Sequence, residues 1–177
     1  SSAIVSSLGV SSDEITFTPP TTSQSTTVTY GFTFNADIAV GDTIILALPN
    51  WSGGSPNVGT KSGCGSATFT GSTSGSGASY KLTLTVATAK YPQNTACTIP
   101  ITGITNPSST LSANSNTITA QVTGGNTMSA TAITASSAIV SSLGVSSDEI
   151  TFTPATTNSN VAISYGFTFN ADIAVGD

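Results

Sequence analysis

Apolar side chains recur along this chain at every second position, in short runs with Thr or Ser between them. The rows are Ile15/Phe17, Val28/Tyr30/Phe32/Phe34, Ile44/Leu46/Leu48, Ala67/Phe69, Leu82/Leu84/Val86, Cys97/Ile99/Ile101 and Ile118/Ala120/Val122, followed by a weaker region from Met128 to Val140. A period of two sends alternate side chains to opposite faces of a strand, so each row predicts a strand with one buried face. Turn chemistry separates the rows: Pro19-Pro20, Asn35-Ala36-Asp37, Gly41-Asp42, Ser52 to Pro56, Gly71 to Gly77, Asn106-Pro107 and Gly124-Gly125-Asn126. No segment carries a helical period, and the predicted fold is all-β.

Residues 1–42 return as residues 136–177 without a gap, at an offset of 135, and 34 of the 42 positions are identical. All eight differences fall between Pro20/Ala155 and Thr29/Ser164. The chain therefore reads as tandem repeats with a 135-residue period, a length typical of one domain. Seven or eight short strands in that length predict a two-sheet sandwich of immunoglobulin-like type, with a jelly roll or barrel as the alternative closure. Asp13 to Pro19 reads as an opening strand. The expected organisation places the closing strand or linker of a preceding repeat at 1–11, a complete sandwich at 12–146 and the opening strands of a next repeat at 147–177. Two or three strands bury too little surface to fold alone. The second copy is thus expected to be completed by further repeats or by a neighbouring molecule.

Ser and Thr fill 61 of the 177 positions, whereas charged residues make up 6%, against roughly 25% in an average soluble protein. Arg and His are absent and Lys occurs three times. This composition removes a His-based triad, a His metal site, an Arg phosphate clamp and a basic nucleic-acid footprint, and no enzyme activity is expected. Leu, Ile, Val and Phe still supply 39 residues in strand-like rows, which separates the chain from the disorder that Ser and Gly richness otherwise suggests. No stretch approaches the roughly 20 apolar residues of a membrane span. The formal charge of −5 overstates the acidity of the repeat, because residues 1–135 hold three Lys against Asp13, Glu14, Asp37 and Asp42. Asp148, Glu149, Asp172 and Asp177 are the second appearance of those four acids.

Cys64 and Cys97 are the two cysteines of the chain. In a β-rich sequence without a C-x-x-C spacing they are most simply a disulfide, which implies an oxidising, extracellular or cell-surface location. Asn35, Asp37 and Asp42 bring hard oxygens to one turn region and form a weak calcium candidate; the competing reading is that the acids bond to nearby backbone. Asn50, in Asn50-Trp51-Ser52, matches the N-glycosylation pattern, and Thr21 and Thr22 are further glycosylation candidates. Thr is dense at outward strand positions such as Thr16/Thr18, Thr27/Thr29, Thr68/Thr70 and Thr83/Thr85. Such faces suit β-branched residues, carry O-glycans or pack against identical modules. Lys61, Lys81 and Lys90 lie mid-module and read as solubilising edge charges.

The run Asp37-Ile38-Ala39-Val40-Gly41-Asp42-Thr43-Ile44-Ile45-Leu46-Ala47-Leu48-Pro49, after Tyr30-Gly31-Phe32-Thr33-Phe34, resembles tandem immunoglobulin-like repeats of large secreted and cell-surface proteins, including bacterial adhesins and surface proteins of algae and related protists. The resemblance implies a structural or adhesive array and carries no catalytic residues. The expected function is a structural repeat of an extracellular fibre or surface filament, with copies of itself as partners. Ile139/Val140 and Ile150/Phe152 are its strand-pairing candidates. The alternative is a carbohydrate- or cell-surface-binding adhesin module, with Trp51 and Tyr80 or Tyr91 as stacking groups.

Overall fold

The computed structural model describes residues 7–142, 145–153 and 162–169. They fall into two compact units divided between Val140 and Ser141. The first unit holds β1 (Val10–Thr18), β2 (Ser25–Phe34), β3 (Thr43–Ala47), β4 (Asn57–Val58), β5 (Ser62–Gly63), β6 (Phe69–Ser74), β7 (Lys81–Val86), β8 (Cys97–Thr105), β9 (Thr119–Thr123), β10 (Met128–Ala132) and β11 (Ala135–Ser136). One sheet has the order β11-β1-β2-β8-β4, with β5 also on β8, and the other has the order β10-β9-β3-β7-β6. All these pairings are antiparallel except that of β11 with β1. Among the described residues the helical element is a single 3-10 turn, Gly77–Ser79, and no helix is long and apolar enough to cross a membrane.

Alternation in the sequence becomes alternation in burial. β2 reads buried at Thr26, Val28, Tyr30, Phe32 and Phe34 with half-buried residues between them, and β3 and β7 do the same at Ile44/Leu46 and Leu82/Leu84/Val86. The inward rows of both sheets belong to one buried cluster. The two sheets therefore enclose a common core, as a β-sandwich does. Aromatic rings bridge it: Phe17 lies 5.2 Å from Trp51, and Phe32 lies 5.3 Å from Tyr91 and 6.2 Å from Phe69. Each fully buried Leu, Ile or Phe contributes about 1.5–3 kcal/mol relative to exposure, so these rows dominate the stability of a chain this poor in charge.

Three features depart from the sequence pattern, the first being that Gly71 to Ser74, read as part of a turn, continue β6 alongside β7. β4 and β5 are two-residue strands in a stretch with no apolar period, and pairing with β8 holds them in the sheet. The ends of the first unit also lie earlier than 12 and 146. Leu8 is buried in the core, and Gly9 exchanges bonds with Asn35, accepting from its backbone N–H at 3.0 Å and donating to its side chain at 2.8 Å. At the other end, Ser137 donates to the Ile15 carbonyl at 3.1 Å and Val140 to the Pro20 carbonyl at 2.8 Å. The chain before Ser141 thus runs along β1 and closes its own sheet.

The second unit is an antiparallel hairpin of β12 (Val145–Thr153) and β13 (Ala162–Phe169). Its register reproduces that of β1 and β2 at the offset of 135: Ile150 faces Tyr165 as Ile15 faces Tyr30, and Phe152 faces Ile163 as Phe17 faces Val28. Even the bulge recurs, at Val145/Ser147 as at Val10/Ser12. The residues expected within 154–161 and 170–177, Asp172 and Asp177 among them, lie outside the described set.

Burial holds the phenols of Tyr30, Tyr80 and Tyr91 above their ordinary pKa of 10.0, and the nearby Asp13 charge adds to the effect at Tyr30. The folded chain keeps protons that the unfolded chain releases, so this stabilisation is complete below pH 10.0 and lost as pH rises through the folded values. In an alkaline titration, phenolate absorbance from these three residues is expected to emerge only as near-UV circular dichroism collapses. Half ionisation of these three phenols at pH 10 with native dichroism, as unshifted tyrosines show, would contradict it.

Candidate functional site

Asp37 and Asp42 of the first unit act as clamps between loops. The Asp42 carboxylate is buried. One of its oxygens accepts from the Ala39 backbone N–H at 3.1 Å and the other from Gly125 at 2.8 Å, joining the turn before β3 to the turn between β9 and β10. Gly124 is required there: its φ is +134°, and a Cβ would lie 1.9 Å from an Asp42 oxygen. Asp37 pairs with Lys90 at 2.5 Å and accepts from the Gln93 backbone N–H at 2.8 Å. These contacts, the Lys90 hydrogen bond foremost, hold its carboxyl below the usual value. The Asp37 carbonyl accepts from the Asn126 side chain at 2.8 Å. Asn35 faces elsewhere, toward Ser7 and Gly9.

Asn35, Asp37 and Asp42 therefore engage three separate sets of partners. No group of three Asp, Glu, Cys or His side chains gathers among the described residues. Asp13 is likewise buried and accepts from the Thr134 N–H at 2.8 Å. In each case a short acid terminates a neighbouring backbone, which is a structural use of charge.

Cys64 and Cys97 form the disulfide, both sulfurs buried. It ties the loop that carries β5 to β8, where periodicity supplies no apolar anchor. Lys61 donates to the Gly65 carbonyl at 2.9 Å beside it, and Lys81 is exposed at the start of β7.

Asn50 is exposed at a φ of 71°, with its backbone N–H bonded to the Gly77 carbonyl at 2.7 Å. Thr21 and Thr22 are half-buried against Val140. Trp51, Tyr80 and Tyr91 are core residues at 2%, 2% and 0% exposure. The sequence reading of them as sugar-stacking groups is corrected by this: Trp51 packs on Phe17, and the Tyr80 hydroxyl donates to Gly53 at 3.2 Å. The Tyr91 hydroxyl donates to the Thr95 carbonyl.

The strand-pairing candidates divide. Ile139 is buried and exchanges two backbone bonds with Leu111, and Val140 bonds to Pro20 and Thr22, so both serve their own unit. Ile150 and Phe152 are both 56% exposed on the hairpin. With them lie Ile163 and Tyr165, which sequence reasoning did not single out although their twins Val28 and Tyr30 were in plain view as core residues. The outer face of the second sheet carries a further unforeseen order. Register aligns Thr70, Thr85, Thr43 and Thr123 in one rung across four strands, with Thr43 and Thr123 hydroxyls 2.6 Å apart. A hydroxyl row of this kind spans strands far apart in sequence and is invisible to a strand-by-strand reading.

No protein-family model matches the chain, and no curated protein and no solved structure is significantly similar to it.

Asp42→Ala is expected to lower unfolding stability by about 2 kcal/mol in a denaturant melt, since it strips a charged acceptor from two part-buried backbone hydrogen bonds. Lys90→Ala is expected to cost less than about 1 kcal/mol, because the pair with Asp37 is solvent-exposed. That small effect is complete above pH 3.8, the ordinary Asp value, and lost as pH falls through the lowered folded one. Equal losses for the two variants would refute the clamp. Replacing both cysteines by Ala frees a closed loop with a sequence separation of 33 and is expected to cost about 4 kcal/mol by the same melt.

Proposed function

We propose that the chain is a structural repeat module of an extracellular fibre or surface filament, built from immunoglobulin-like sandwiches that recur every 135 residues. The observation that carries the reading is the hairpin β12–β13, which repeats β1–β2 in sequence, register and bulge. A protein that reproduces one structural unit so closely is organised as an array, and each repeat then gains stability from its neighbours.

The strand order supports the immunoglobulin-like assignment. β2 pairs with β8 and β3 with β9, with β1 and β10 flanking them, as strands A, B and E face C, F and G in that fold. The short β4 and β5 and the added β6–β7 hairpin are elaborations between the third strand and β8. The disulfide supports an oxidising, extracellular setting. Asp13, Asp37 and Asp42 are engaged in bonds to neighbouring backbone and Lys90, and the hydroxyl rung of Thr70, Thr85, Thr43 and Thr123 offers an uncharged face for lateral packing or sugar.

The adhesin alternative has less behind it, since the three aromatic candidates are buried. Negative-stain microscopy of the native material is expected to show filaments or linear arrays of modules. Dispersed single particles would overturn the fibre reading.

A further inference from the structure

Each sheet of the first unit has two edges, and three of these four edges are blunted. β4, β5 and β11 are two residues long, and β10 carries a bulge between Met128 and Thr131. Short strands and bulges are devices that keep a sheet from pairing with another chain. β6 has neither. Its residues from Phe69 to Ser74 pair with β7 one for one without a register shift, and none of them is charged or Pro. Among the described residues β7 is its one partner strand. The Ala87 N–H donates to the Thr68 carbonyl at 2.7 Å, whereas the Val86 N–H donates to the Asp42 carbonyl at 3.0 Å on the far side of β7. Antiparallel bonds alternate along a strand. Thr70, Ser72 and Ser74 therefore bond to β7, and the backbone groups of Phe69, Gly71 and Thr73 point away from it along the free edge. β6 belongs to the unit whose core is complete, and its edge is free with that core closed over β1 and β2.

We propose that the free edge of β6 is a docking site for β6 of a second copy of the module, paired antiparallel about Gly71. This deepens the fibre reading, on which it rests, by naming a contact between copies. The occupant follows from the symmetry of the strand itself. Centred on Gly71, the pairing sets Gly71 opposite Gly71 and Phe69 opposite Thr73, so residues with free backbone groups meet only each other and each pair exchanges both bonds. A shift of one residue would set them against Thr70 and Ser72, whose backbone groups are already spent on β7. On the outer face Thr70 then stands opposite Ser72 of the second copy, hydroxyl against hydroxyl with no charge to repel. Gly71 leaves no side chain at the centre, where the two backbones approach. The contact is isologous and closes as a dimer, with the order β10-β9-β3-β7-β6 running on into the same five strands of the second copy.

The test uses the full chain, with Thr70→Cys in one preparation and Ser72→Cys in another, mixed under mild oxidation. The proposed register sets these positions opposite each other in a pair without backbone bonds, where Cα atoms lie about 4.5 Å apart, within reach of a disulfide. A heterodimer cross-linked between 70 and 72 is expected from the mixture, with at most traces from either preparation alone. Sedimentation velocity of the unsubstituted chain is expected to show a reversible dimer. Thr70→Lys with Ser72→Lys in one chain sets Lys opposite Lys and is expected to weaken the dimer at least about 10-fold. Thr70→Glu with Ser72→Glu is expected to do the same, and an equal mixture of the Lys and Glu chains to recover a heterodimer. Both positions are exposed, so unchanged circular dichroism is expected of every variant. A chain that sediments as a monomer, a dimer that the double Lys variant leaves unchanged, or a cross-link as frequent in the single preparations as in the mixture overturns the proposal. Association through the exposed β12–β13 face would give the second of these outcomes. Filaments in native material without this contact remove the inference and leave the fibre reading standing. The contact with dispersed native material does the reverse.

Discussion

Burial of the alternating row on β1 and β2 against the opposite sheet is the interaction on which the module depends. Phe32 sits at its centre, with Tyr30, Phe34, Phe69 and Tyr91 all within ring contact. A chain with charged residues at 6% of its positions has little electrostatic stabilisation to call on, and surface ion pairs contribute little in any case. The apolar rows must therefore do most of the work against conformational entropy. The remaining contacts fix what the rows leave loose. The disulfide anchors the stretch that has no period, and Asp37 and Asp42 draw the loops at one end together.

That division of labour also accounts for how Asp37 and Asp42 are used. In most proteins an acid near another acid in a turn region invites a metal or catalytic reading. Here Asp42 is satisfied by the N–H groups of Ala39 and Gly125, and Asp37 by Lys90 and Gln93. The surface is left to hydroxyls, which hydrogen-bond readily and repel nothing.

The repeat gives the structure its internal control. Closely similar sequences in one register are core in the first unit and exposed in the second. Pairing of β12 with β13 satisfies the backbone between them but leaves the apolar face in water, as expected of an isolated two-stranded hairpin. The backbone pattern is thus local, whereas the burial is not.

Much of the fold was legible in the sequence for the same reason. Period two reports which face of a strand is buried, and every inward residue read from the rows at Ile15/Phe17, Val28 to Phe34, Ile44 to Leu48, Leu82 to Val86 and Ile118 to Val122 lies in the core. The cysteine pairing followed from there being two. What the rows could not reveal was which strands neighbour one another, because pairing depends on contacts between distant segments. The two-residue strands β4 and β5, the Thr rung across β6, β7, β3 and β9, the placement of Trp51 and Tyr91 inside and the capture of Leu8 by the first unit all arise at that level. By itself the sequence determined the strands, their inward faces and the repeat, since each is written in local spacing. Only the tertiary structure decided which strands neighbour one another and which loops close on the core, because those contacts join residues far apart along the chain.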